Sequence, residues 1–238
     1  MKNTLKYFIL ITALLFNTRS YAQPHIKVPS SFVETKPPIA YSVPWHKLNS
    51  SKKEYRVRDF EGALEIRRTP SINWNLLSIQ GGLLKAIDHG EFGGSLTFTP
   101  NDNTQQPIEI KEGNVKFVFS FHDKIYFIEG LAHMGFSNGA LYELERTGNN
   151  FTYKKLIDFE DAPEAFTIYN DQLLIAAHQS FYIVKDLKKE RLLKNAFWTG
   201  LYPNSIAAFD DENVFIGMRG GIVKLDLTED KVVFYKND

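Results

Sequence analysis

An internal repeat limits this 238-residue chain more than any other feature. "PEAFTIYNDQLLIAAHQSFYIVKDL", from Pro163, stacks on "PNSIAAFDDENVFIGMRGGIVKLDL", from Pro203, at an offset of 40 without a gap. Proline, aromatic, apolar run and closing Asp-Leu coincide, and Asp171 falls on Asp211 and Asp186 on Asp226. Each unit reads as four short strands separated by turn residues. In the last unit they are Ser205 to Phe209, Val214 to Gly217, Ile222 to Leu225 and Lys231 to Tyr235. Two earlier stretches share the plan, giving units at about 74–112, 113–161, 162–200 and 201–238. A period near 40 with four strands per unit implies an all-β fold, a β-propeller of four-stranded antiparallel blades. "YRVRDF" and "GALEIRR" supply one or two further strands before Trp74, so the expectation is four blades, or five if these form one. An open β-sandwich made from the same hairpins is the alternative.

Residues 204–226, "NSIAAFDDENVFIGMRGGIVKLD", resemble one blade of the sensor propellers of two-component regulators. Asn204, Ile206, Asp211, Phe215, Ile216, Gly217, Gly221, Ile222 and Asp226 match that repeat; Phe215 and Met218 replace its usual Trp and Thr. The whole chain is similar to exported bacterial propeller proteins of unassigned function. The resemblance implies the fold and little about function, because propellers host unrelated activities. No kinase or output segment follows the repeats, which argues against a two-component receptor.

Ahead of the repeats the chain changes character. Lys2 and Lys6, the apolar "YFILITALLF" and Ser20-Tyr21-Ala22 form a signal-peptide pattern over residues 1–22, with a mature start near Gln23. The apolar core is shorter than the roughly 20 residues a membrane span needs, so no membrane insertion is expected after cleavage. Export to the periplasm is favoured over full secretion. The absence of cysteine excludes a disulfide framework, so the fold must rest on its core. Residues 23–54 carry five prolines before Trp45 and then the polar "KLNSSKKE", an extended arm and linker with Trp45 as its anchor. The leader contains Lys2, Lys6 and Arg19 and no acid; of 28 basic residues 25 remain against 28 acidic ones, a net charge of −3. Nothing in that balance draws the protein to nucleic acid.

In a propeller the second turn of each blade opens on the face that carries the blade-to-blade loops. Those turns are "DHGEFGG", "LAHMGFSNG", "HQS" and "MRGG", which would put His89, Glu91, His133, His178 and Arg219 on one rim. The histidines could ligate a divalent metal, and imidazole beside Arg219 could bind an anion. Polar turn residues arise in any such fold, so ordinary turns are the competing explanation. "FWTGLY" offers Trp198 and Tyr202 to a sugar or protein partner if exposed, or to blade packing if buried.

Two other motifs invite chemistry. "GFSNG", Gly135 to Gly139, fits Gly-x-Ser-x-Gly, but a strand and not a helix follows Ser137, so a hairpin turn is the better reading. "DFEDAPEAF" gathers Asp158, Glu160, Asp161 and Glu164 as oxygen donors for calcium, without the alternation of an EF-hand; a solvated loop is favoured. The resulting expectation is a monomeric, exported binding module whose ligand is a protein, a small molecule or a carbohydrate, with no cofactor. A metal-assisted hydrolase or lyase acting on a sugar or lactone is the alternative, and requires His89, His133 and His178 to meet.

Overall fold

The computed structural model describes residues 26–68 and 74–237, so the leader expected over residues 1–22 lies outside them. The arm contributes strand β1 (Phe32–Thr35) and helix α1 (Val43–Asn49), and a hairpin follows, β2 (Tyr55–Phe60) with β3 (Ala63–Arg68). The repeats then form four consecutive antiparallel sheets of four strands, each in simple meander order. Blade I holds β4 (Trp74–Ile79), β5 (Gly82–Asp88), β6 (Gly94–Pro100) and β7 (Ile108–Glu112). Blade II holds β8 (Val115–Phe121), β9 (Lys124–His133), β10 (Phe136–Thr147) and β11 (Asn150–Phe159). Blade III runs β12 (Pro163–Tyr169), β13 (Gln172–Ala177), β14 (Ser180–Lys185) and β15 (Lys188–Lys194). Blade IV runs β16 (Ser205–Asp210), β17 (Asn213–Met218), β18 (Gly221–Asp226) and β19 (Lys231–Asn237).

Contacts between units are made by the first two strands: β8 packs on β4 and β5, β12 on β9 and β16, and β2 on β16 and β17. First strands therefore line the axis and fourth strands face outward, the arrangement of a β-propeller. The core is divided accordingly. Separate apolar clusters fill the gaps between blades I and II, II and III, and III and IV, and a fourth lies between blade IV and the β2–β3 hairpin. A strand packed on both faces has no polar side, which is why "LLIAA" and "VFIGM" are continuous apolar runs. The hairpin is a fifth, two-stranded unit and does not extend blade IV; the strand that pairs with β19 is β1. Gly217 admits it, because a Cβ there would come within 2.4 Å of the Tyr55 carbonyl oxygen and 2.5 Å of Ser205 Oγ.

Three sequence expectations are corrected. First, blades III and IV superpose in register at 41 residues and not 40: Tyr169 pairs with Gln172 as Asp210 does with Asn213, and Lys185 with Lys188 near its turn as Asp226 with Lys231. Leu174 and Ala176 face the next unit, and so does Phe215, while Val214 and Ile216 face back toward blade III. Because both faces are apolar, alternation carries no phase to expose the one-residue slip. Second, the arm is folded. Ser42 caps α1 by accepting from the Trp45 amide, Trp45 and Leu48 are buried, and Trp45 Nε1 donates to the Thr199 carbonyl at 2.9 Å. Third, Asn49 Nδ2 donates to the Gly200 carbonyl at 2.7 Å, so "KLNSSKKE" begins as docked helix and not as linker.

Candidate functional site

With the register at 41, Arg219 occupies the position of His178: the His178 amide donates to Ala162, the Arg219 amide to Leu201, both at 2.8 Å. The corresponding amide in blade II is that of Gly130, which donates to Asn114 at 3.1 Å. Counting back from the first hairpin turn, Asp88 holds this place in blade I. Arg219, Gly130 and Asp88, with the inner-strand residues Lys116, Glu164 and Arg56, line one cleft of about 430 Å³ at the mouth of the central channel; His178 stands behind Glu164 and is not part of the lining. All four blades and the β2–β3 hairpin contribute to its lining.

The cleft is charged and almost balanced. Lys116 Nζ lies 2.6 Å from Glu164 Oε2 and 3.3 Å from Asp88 Oδ2, so one ammonium ties blades I, II and III together. Burial pushes the Lys116 ammonium toward neutrality, but the Glu164 and Asp88 carboxylates outweigh it and hold its pKa above the usual lysine value. Asp88 also accepts from Asn114 Nδ2 at 2.9 Å and from the Gly90 amide at 2.8 Å. His178 Nδ1 sits 3.8 Å from Glu164 Oε1, too far for a hydrogen bond, and this buried nitrogen has no partner. Arg219 donates to the Asn49 carbonyl at 2.7 Å and to Glu54 Oε1 at 3.1 Å, and its guanidinium stacks 4.4 Å above the Tyr202 ring. Its Nε is buried and unpartnered.

Arg56 completes the set and differs from the others. It projects from the strand residue between buried Tyr55 and Val57 into the cleft, its Nε is buried, and it has no hydrogen-bond partner or carboxylate among the described residues. A guanidinium with its Nε buried and no carboxylate in contact has the chemistry to take an anion, since its planar fork of donors opens on the cleft. The sequence showed only an alternating "YRVR" strand, with nothing to mark which arginine turns inward.

The other rim residues divide. His89 lines the cleft at its exposed edge, and Tyr202 stands over Arg219 with its ring 6.4 Å from that of His178. His133 lies beyond the blade on an extended β9–β10 hairpin, where its Nε2 meets Glu91 Oε2 at 3.1 Å. His89, His133 and His178 thus do not meet at one point, and among the described residues no group of three or more His, Asp or Glu is placed to hold a metal. The ligand role expected for Trp198 is also corrected: the ring is fully buried between blades III and IV, and its Nε1 donates to the Ala177 carbonyl at 3.1 Å. Aromatic residues in an interblade loop have the gap between sheets as their nearest apolar environment.

Ser137 lies within strand β10, and its hydroxyl donates to Asp161 Oδ1 at 2.5 Å. Asp161 is itself buried and accepts from the Gln179 and Ala162 amides at 2.7 and 3.1 Å. The four acids once grouped for calcium therefore diverge: Asp161 braces this loop, Glu160 pairs with Lys189, Asp158 with Lys155 and Glu164 with Lys116. Gly139 of the same motif exists for packing, because a Cβ there would lie 2.4 Å from Pro163 Cδ.

The fold and its repeats define a β-propeller with four full blades and one short one. No protein-family model matches the chain, and no curated protein matches it. Among solved structures, the N-terminal domain of Nup159 is similar at 11% identity and a TM-score of 0.39. That match covers 67% of this chain and 46% of the other, so the chain spans less than half of that domain.

Proposed function

We propose that the protein is an exported binding module whose ligand enters the mouth of the propeller channel and presents an anionic group to Arg56. The observation that carries this reading is the half-buried Arg56, its Nε buried and its guanidinium unpartnered, within a cleft lined by all four blades and the hairpin. Arg56, Lys116 and Arg219 balance Glu54, Asp88 and Glu164 in number, but Asp88 and Glu164 both engage Lys116 and Glu54 engages Arg219, which leaves Arg56 as the cation without an acid in contact. Glu54, Asn204, Tyr202 and His89 would take the ligand's hydroxyl or amide groups, which suits a sugar acid or a carboxylate-bearing segment of a partner protein. The propeller fold itself favours an interaction module, since its rigid ring holds loops from successive blades around one opening. The leader pattern over residues 1–22 supports export to the periplasm, and N-terminal sequencing of the chain made with its leader is expected to begin at Gln23.

Titration calorimetry with glucuronate, galacturonate and short carboxylate-terminated peptides, each beside its uncharged amide, tests the site. At least one acid is expected to bind, its amide about tenfold or more weaker, and Arg56→Gln to abolish the difference while Arg58→Gln, paired with Glu65 on the exposed side, does not. Binding that is indifferent to Arg56→Gln, or no binding across the panel, overturns the reading.

A further inference from the structure

A second cavity of about 460 Å³ shares no lining residue with the channel mouth. It is bounded by the arm after β1, by α1, by the β17–β18 turn and by the outer strand β19. Its floor and walls are Leu48, Phe234, Pro38 and Pro44, and its edge carries Lys36, Lys47, Lys53 and Lys236. No acidic side chain lines it among the described residues, and Lys36, Lys47 and Lys53 have no carboxylate partner there. The volume falls in the range of about 300–1,000 Å³ typical of small-molecule sites. We propose that this groove binds a single-chain anionic amphiphile, a fatty-acid carboxylate, with its chain along the apolar floor and its head group among the lysines.

The charge pattern and the backbone together select that chemistry. Three ammonium groups around one opening, those of Lys36, Lys47 and Lys53, without a carboxylate partner among the described residues, favour an anion by their summed field. An acidic peptide would satisfy the lysines but not itself. Thr35, Ser51 and Asn237 also line the groove and could meet a few amides, but peptide groups laid against Pro38, Pro44, Leu48 and Phe234 would be left unpaired, since the prolines have no N–H and the other two side chains offer only carbon. An acyl chain has no such groups, and its burial gains about 0.8 kcal/mol per methylene. The groove is also new to the mature fold's surface: it exists only because α1 docks, with Leu48 packed against the Gly220 turn, where a Cβ would lie 2.6 Å from Leu48 Cδ2. Exposed Ile39, Tyr41 and Val43 continue the apolar character along the arm.

Calorimetric titration of the mature full chain with sodium dodecanoate, below its micellar range, tests this. Saturable binding of one equivalent is expected, with dodecanol about tenfold weaker or worse. Lys36→Glu combined with Lys47→Glu, both at exposed positions, should weaken dodecanoate by about tenfold and leave the far-ultraviolet spectrum and dodecanol binding unchanged. Added salt should weaken wild type and spare the double variant. Equal affinity for acid and alcohol, or no effect of the lysine reversals, overturns the proposal. Failure to bind monomeric dodecanoate, with co-sedimentation on phosphatidylglycerol vesicles, also overturns it and assigns the face to a membrane surface instead. Arg56→Gln is expected to leave dodecanoate affinity untouched, which separates this outcome from that at the channel mouth.

Discussion

Replacing Lys116 with Met should destabilise the ring through one orphaned carboxylate, and the structure indicates which. Lys116 Nζ lies 2.6 Å from Glu164 and 3.3 Å from Asp88, with all three side chains largely shielded from solvent. At an effective dielectric near 20 each attraction is about 5–6 kcal/mol before desolvation, and most of that offsets the cost of burying the charges. Removing the ammonium leaves Asp88 with the Asn114 amide and the Gly90 N–H, but leaves Glu164 with His178 at 3.8 Å, beyond hydrogen-bond reach. The expected loss is therefore near the lower end of a broken buried pair, about 3 kcal/mol, or roughly 6–12 °C in Tm for a domain of this size. Lys116→Met with Glu164→Gln should recover about 2 kcal/mol of it, since the amide removes the unpaired charge. The pH dependence has a definite sign. In the wild type the Lys116 pKa is raised, so its contribution is complete below the ordinary lysine range and is lost only as pH rises through the higher folded value. Urea unfolding followed by circular dichroism at pH 7.5 measures the deficit and its recovery. A deficit below about 1 kcal/mol, or a further loss on adding Glu164→Gln, would refute the assignment.

Trp45→Ala should cost about 3–5 kcal/mol and release the arm, seen as rapid tryptic cleavage at Lys52 or Lys53, because the indole is buried and donates to Thr199. Gly217→Ala should cost about 1–3 kcal/mol by pushing β2 from blade IV, since its Cβ would meet the Tyr55 carbonyl at 2.4 Å; Gly62→Ala, with open space around it, should cost about 1 kcal/mol for its positive φ alone. Thermal melts of the two separate packing from backbone strain. Asp161→Ala should cost more than Ser137→Ala, about 2–3 against about 1 kcal/mol, because it leaves the Gln179 amide and the Ser137 hydroxyl without their acceptor, whereas in Ser137→Ala the Ala162 amide, which donates to both side chains, keeps Asp161. A cost ordered the other way in chemical unfolding would contradict the bracing role.

How far the chain could be read from its sequence depended on whether local pattern or distant packing fixed each feature. Strand positions in the last blade were legible to within a residue or two, because turns at Asp211 and Arg219 to Gly220 interrupt the apolar runs. Register was not, since "LLIAA" and "VFIGM" are buried on both faces and either phase hides apolar atoms equally well. The arm was misread for a related reason. Prolines at 37, 38 and 44 suggest extension, yet Pro44 stands in the first turn of α1, where the missing N–H costs nothing. What keeps the helix is Trp45 and Leu48 in a cluster with residues more than 150 positions away, and no local pattern announces that.

The same distinction reverses the roles of two arginines. Arg219 is conspicuous in sequence because a hairpin turn does not require it. In the fold its guanidinium is committed to Asn49 and Glu54, and its backbone pairs with Glu54 across an isolated bridge. It joins the arm to the last blade, so Arg219→Ala should loosen α1 as well as the cleft. Arg56 is inconspicuous, one of two arginines in an alternating strand. Arg58 pairs with its cross-strand neighbour Glu65, while Arg56 reaches the cleft with no partner. Two residues apart, they share the face of β2 opposite Tyr55 and Val57, so alternation does not separate them; what does is position along the strand, Arg56 beside the cleft and Arg58 toward the hairpin turn. A guanidinium whose Nε is buried without a partner contributes less to stability than a paired one, and it keeps its donors free; on the proposed function Arg56, rather than the better-connected Arg219, is therefore the residue to meet an anion.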